Sequence, residues 1–249
     1  MTNSYLRYFS LVLFLSFYPL TSSDAQFTVD LESGLVTTGY NDVRIPGDQG
    51  TLFSLSGDLD SQSKIYFRGR LTYNLGSRHS LSLLYAPLTV LSDGVISNDI
   101  LFAGVNFPSN SGLDATYKFN SYRLTYRYDI IQKPKLDFGL GFTAKIRDAK
   151  IALASGELYG EKINVGFVPI INFRLSWRVD DKFSFLLEGD ALAAPQGRAE
   201  DVLIAVSYRL SERIGLKAGY RILEGGADND EVYTFSLFHY ASLGLFLNL

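Results

Sequence analysis

Residues 120–147, NSYRLTYRYDIIQKPKLDFGLGFTAKIR, decide the fold. Tyr122, Leu124, Tyr126 and Tyr128 share one parity, and Arg123, Thr125 and Arg127 the other. Past Pro134, Leu136, Phe138, Leu140, Phe142 and Ile146 oppose Asp137, Gly139, Gly141, Thr143, Lys145 and Arg147. Successive side chains of a strand point to opposite faces of its sheet, so a period of two reads as a strand with one apolar and one polar face. Two such runs joined across 131–134 read as an antiparallel hairpin.

The same alternation extends in both directions. Upstream, Phe27, Val29, Leu31 and Leu35 oppose Thr28, Asp30, Glu32 and Gly34. Ile65, Phe67, Leu71 and Tyr73 oppose Tyr66, Arg68, Arg70 and Thr72, and Leu81, Leu83 and Tyr85 follow. Downstream come runs at 171–179, 183–190, 204–210, 216–222 and 233–249. This predicts about ten strands. Eight or twelve stay open, because residues 44–62 and 92–113 have room to hide or extend one. The connections at 76–79, 131–134, 180–182 and 211–213 are tight. Those at 44–62, 92–113, 154–164, 194–200 and 225–231 read as mostly longer. Short turns at one end and longer loops at the other suit an up-and-down barrel better than a soluble sandwich.

Composition narrows the function classes. A net charge of −3 and no basic stripe argue against a nucleic-acid partner. The absence of cysteine removes disulfides, thiolate catalysis and Cys-based metal sites. Eighteen Phe and 16 Tyr suit strands that meet both lipid and headgroups. At the N-terminus, Arg7 precedes an apolar run (YFSLVLFLSFY), then Pro19 and small residues at Ser23 and Ala25. This pattern predicts a secretory leader over 1–25, cleaved before Gln26, and a single domain over 26–249. The apolar run is too short to span a bilayer as a helix.

Alternation alone does not say which face is the core. Two features break the symmetry. Tyr73, Tyr126, Tyr128, Trp177, Phe183 and Tyr208 cluster on the apolar face beside the tight turns, as an interfacial aromatic girdle does. The final octapeptide SLGLFLNL (242–249) resembles the assembly signal of bacterial outer-membrane β-barrels. Ser242, Gly244, Leu247 and Leu249 fall on its polar, glycine and two hydrophobic places, with Leu249 standing where the usual residue is Phe. The resemblance implies an all-β, closed antiparallel transmembrane barrel in the outer membrane of a Gram-negative cell. It would meet outer-membrane lipid and lipopolysaccharide, engage the barrel-assembly machinery during biogenesis, and act as a monomer. In architecture it resembles OmpA-like and other small barrels, with no motif of a specific family.

If the polar face lines a lumen, Glu32, Arg68, Arg70, Arg123, Arg174, Glu188, Asp190 and Arg221 come to similar height inside it. Buried charges are tolerable when paired, so a plugging charge network is the first reading. The second is a narrow pore that prefers anions, since cations outnumber anions at that height. Asp228, Asp230 and Glu231, beside Glu200 and Asp201, form an acidic loop cluster able to meet a divalent cation, although the spacing matches no calcium loop. No cofactor is implied. Omptin proteases, small-barrel lipid A deacylases and outer-membrane phospholipases need a histidine with carboxylate or serine partners. The two histidines here, His79 in a turn-side position and His239 on the outward face of the last strand, lack them. An enzyme is the third reading.

Overall fold

The structure is a computed structural model in which residues 26–249 are described, except Gln196; the leader expected over 1–25 lies outside the described residues. Ten long strands form the wall. They are β1 (Phe27–Arg44), β2 (Lys64–Leu75) and β3 (His79–Ala86, continued past Pro87-Leu88 by Thr89–Val95), then β4 (Gly112–Lys133), β5 (Leu136–Ser155) and β6 (Leu158–Arg178). The last four are β7 (Phe183–Ala194), β8 (Gly197–Arg209), β9 (Ile214–Asp228) and β10 (Tyr233–Asn248). Each pairs antiparallel with the next, and β10 pairs with β1 from Thr28↔Asn248 to Arg44↔Tyr233, so the sheet closes on itself. Closure gives every wall strand a partner on both sides, which an apolar surrounding demands of a sheet.

The register sends Glu32, Arg68, Arg123, Thr143, Glu188, Asp201 and Arg221 inward, all buried. The outward face is apolar: Leu31, Phe67, Leu71, Leu83, Leu124, Phe142, Ile171, Ile204 and Leu216 stand exposed around the wall. A soluble barrel would show water the opposite face. At the turn end, cross-strand aromatic pairs ring this belt, including Phe27–Tyr73 at 4.8 Å, Trp177–Phe185 at 5.8 Å and Phe183–Tyr208 at 4.8 Å. All six aromatics expected there are on this face and at this end.

Three of the four tight turns fall where the sequence places them, and the second is confined to Pro134-Lys135 because residues 131–133 pair with 136–138. Gly76 takes a positive φ of 68° in the first. In the third, Asp180 accepts from the Phe183 and Lys182 amides, which holds its carboxyl below the usual carboxylate range. The opposite end differs from expectation. Residues 154–164, 194–200 and 225–231 are largely strand: β5 and β6 meet at Ser155↔Leu158, β7 and β8 at Ala194↔Gly197. Beyond the belt both faces meet polar surroundings, so the period-two signal fades while the backbone stays extended. β5 runs 20 residues, against the roughly 9–11 that cross a bilayer as strand.

The two true loops, 45–63 and 96–111, fold back over one side of the mouth. Ile45, Phe53, Leu55, Leu59, Ile96, Phe102 and Phe107 from these loops pack on Val36, Val90, Leu113, Tyr117, Leu153 and Phe238 from the wall. Phe102 and Phe107 sit on a small hairpin, Ile100–Phe102 paired with Val105–Phe107, and are fully buried. Gly47 donates its amide to Asp230 O at 2.9 Å, and a Cβ on it would meet Asn229 O at 1.9 Å, so only glycine docks the first loop on the β9–β10 turn.

If the outward face meets lipid, a charge in its middle is costly. Leu83→Arg is expected to destabilise the barrel by about 2–4 kcal/mol in vesicles. The same change at Leu52, exposed in the cap, should leave the urea midpoint within experimental error. Equal effects at both sites would argue against the belt.

Candidate functional site

The charged residues of the inner face meet at one height. Asp201 on β8 is the hub. Its Oδ2 accepts from Arg123 Nη2 at 2.6 Å and Arg68 Nη2 at 3.0 Å, and its Oδ1 from Arg221 Nη1 at 2.6 Å. Arg221 also donates from Nε and Nη2 to the two oxygens of Glu32, at 2.8 and 2.9 Å. Arg123 Nη1 reaches Asp190 at 2.6 Å, and Asp190 Oδ1 accepts further from Thr143 and Asn172. Lys217 Nζ lies 2.7 Å from Asp30 and 3.2 Å from Glu32. Charge-assisted contacts at these lengths are the strong kind, and they join β1, β2, β4, β5, β6, β7, β8 and β9 across the lumen.

Six of the eight residues expected in this network, Glu32, Arg68, Arg123, Glu188, Asp190 and Arg221, are buried at its centre. Arg70 reaches Glu188 at 3.4 Å. Arg174 does not join it closely: its Nε stands 3.7 Å from Glu188 and its side chain is 44 % exposed. Glu188 is the loosest member, with its Oε1 lacking a hydrogen-bond partner. Sequence reading missed Lys217 as a member although it lies on the polar face. It also misplaced Asp201, assigning it to the acidic loop cluster. Asp201 is instead inside the wall, 2 % exposed, while Glu200 next to it takes the outward parity. The cluster is therefore divided by the barrel wall. Glu231 pairs with Lys162 at 3.1 Å, and no group of three potential ligands gathers among the described residues.

The terminal strand feeds the same network. Ser242 Oγ lies 2.6 Å from Tyr66 OH, which donates to Glu32 at 3.1 Å. A Cβ on Gly244 would stand 2.6 Å from Lys217 Cε and 2.7 Å from its Cγ, so the lysine stem crosses the place a side chain would fill. Leu247 and Leu249 have the other parity and belong to the outer face. The two histidines are also outward. His79 Nδ1 hydrogen-bonds Tyr126 OH at 2.8 Å, and His239 Nδ1 hydrogen-bonds Tyr220 OH at 2.5 Å with the rings stacked. The wall separates both from the lumen carboxylates.

The network divides the lumen into two vestibules. The one at the turn end, of about 490 Å³, is lined by Asp129, Gln132, Asp137, Arg174 and Arg178. The other, of about 460 Å³, opens at the loop end beside the cap and is lined by Tyr117, Phe119, Lys145, Arg147, Leu223 and Phe238 among others.

No family description and no curated protein matches this sequence. Among solved structures it is similar to the outer membrane protease OmpT from Escherichia coli, at a TM-score of 0.51 and 10 % identity, over 92 % of this chain and 99 % of that one. The translocator domain of the autotransporter NalP from Neisseria meningitidis gives 0.47 and 9 %, over 91 % and 90 % of the two chains. An outer membrane channel from Pseudomonas putida F1 gives 0.43 and 10 %, over 91 % and 96 %. At such identities the likeness speaks for the fold alone. The chain is a closed ten-stranded antiparallel β-barrel of the outer-membrane type.

Proposed function

We propose that this protein is an integral outer-membrane barrel whose lumen is closed by its own side chains, and whose task is structural or lies in interactions at its loop-end surface. The observation that carries this reading is the Asp201 hub: one buried carboxylate held by three arginines from three strands, with Glu32 and Asp190 compensating the remaining charge. The apolar outer belt and turn-end aromatics support residence in lipid, with both chain ends on the periplasmic side and lipopolysaccharide around the opposite rim. Removal of a leader near Ala25, a terminal strand read by the assembly machinery through Ser242, Gly244, Leu247 and Leu249, and a monomeric state belong to the same reading.

OmpT is a protease, but a shared fold does not transfer an activity. His79 and His239 each have a tyrosine as partner, and neither faces a carboxylate across a cleft. The narrow anion-preferring pore is the competing reading, and conductance separates the two. In planar bilayers the purified chain is expected to give no resolvable single-channel current. Stepwise currents carried mainly by anions would replace the closed barrel with the pore.

The plug is also expected to hold the wall together. Removing one partner of a buried ion-pair network strands the others, at a cost of about 3–5 kcal/mol. Asp201→Asn, followed in vesicles through the fluorescence of Trp177, the single tryptophan, should lower the unfolding free energy by about that amount. An unchanged urea midpoint would show that Asp201 does not anchor the plug.

A further inference from the structure

The wall is not laced along its full height. The β6–β7 ladder runs from Arg178↔Ser184 to Ile171↔Ala191 and stops there. Above it, residues 158–170 of β6 continue in register with β5 to Leu158↔Ser155, and the β7–β8 hairpin continues to Ala194↔Gly197 without pairing to β6. Pro169 stands two residues above the last β6–β7 pair. Proline cannot donate to a ladder and is confined in sheets to edges and ends of pairing. The result is a lateral cleft between β6 and the β7–β8 hairpin.

The loop-end vestibule reaches this cleft. Its lining includes Phe167 and Pro169 from the outward parity of β6, and Leu192, Ala194 and Ala199 from the facing hairpin. Phe167, Val165 and Ile163 are 61 %, 65 % and 54 % exposed, so the cleft opens on apolar surface, at the upper edge of the belt where Asp148 and Lys118 begin to face outward. Lys162–Glu231, at 3.1 Å, is a side-chain contact joining β6 to the β9–β10 turn above it.

At the vestibule the charges do not cancel. The carboxylates that border it are already paired, Glu224 with Arg198 at 2.7 Å and Glu231 with Lys162 at 3.1 Å. Lys145 is 2 % exposed and its Nζ stands over the Phe119 ring at 4.7 Å, with no carboxylate within ion-pair distance among the described residues. Arg147 donates from Nη2 to Asn164, while its buried Nε has no partner. Two cationic groups thus stand with open donors at the floor of a cavity walled by Phe119, Leu223 and Phe238. A buried cation without a counter-charge is costly, and a bound anion would offset that cost.

We infer that this vestibule is a binding site for an amphiphile with a carboxylate head and an aliphatic tail, which enters sideways through the β6–β7 cleft and places its head between Lys145 and Arg147. The aromatic and aliphatic walls suit the tail, and the volume is within the range of small-molecule sites. The lateral opening connects the cavity to the layer in which such molecules dissolve. The site lies above the charge plug, so it holds whether or not the lumen conducts.

The test uses the full barrel in phosphatidylcholine nanodiscs and radiolabelled laurate as probe. Saturable binding is expected. The Lys145→Ala/Arg147→Gln double variant should weaken it about tenfold or more, the loss expected for charge-assisted hydrogen bonds. Lys145→Arg, which keeps the charge, should bind within a few-fold of the parent. Ala199→Trp, filling the cavity while sparing the cations, should abolish binding. Heat-modifiable migration on gels checks that each variant is folded. Laurate uptake that is non-saturable, or that stays at the parent's level in both the double variant and Ala199→Trp, would overturn the site. Dodecyl phosphate binding in place of laurate would overturn the carboxylate assignment.

Discussion

Everything in this molecule depends on backbone N–H and C=O groups finding partners inside the chain, because the outer surface of the wall offers none. Closure through the β1–β10 ladder answers that demand for the strand ends of the sheet. Once the sheet is closed, the pleat assigns alternate residues to two environments. The outward set becomes the apolar belt, and the inward set inherits every charge the strands carry. The place where the ladder fails is informative for the same reason: β6 leaves β7 at the level of Pro169, a residue with no amide to satisfy.

The inward charges then set the second constraint. A ten-stranded barrel is too narrow to hold a wide water column, so buried guanidinium and carboxylate groups must compensate one another. Asp201 does so for Arg68, Arg123 and Arg221 together, and Glu32 and Asp190 take the arginine donors that remain. Glu188 shows the limit of this arrangement, with four cations near it at 3.4–4.0 Å and one oxygen without a hydrogen bond. Above the plug the barrel changes solution. Over β10 and β1 to β5 the two long loops fill the mouth with an apolar core, while beside β6 to β9 the lumen stays open over Lys145 and Arg147.

The terminal strand joins these two levels of organisation. Its inward residues Ser242 and Gly244 are parts of the plug, one by a hydrogen bond to Tyr66 and the other by the space it leaves for Lys217. Its outward leucines belong to the belt. The glycine of an assembly motif therefore has a local structural reason in the finished barrel, separate from any reading of the motif during biogenesis.

The sequence by itself determined the class of sheet, its tight turns, the girdle and which strand residues face inward, because a pleat of period two converts parity directly into side. Arg68, Arg123 and Arg221 were legible as lumen residues on that ground alone. Parity carries no information about partners, however, since an ion pair across a lumen joins positions far apart in the chain. Asp201 was lost because its strand begins among small and polar residues and presents Leu203 inward, which breaks the polar pattern. The extended tops of β5 and β6 were lost because water on both sides removes the alternation while leaving the strand. Only the tertiary structure decided which carboxylate sits among three arginines, that two loops fold into the mouth, and that one seam of the wall is left open. Each of these is a matter of distance between strands, which no local pattern records.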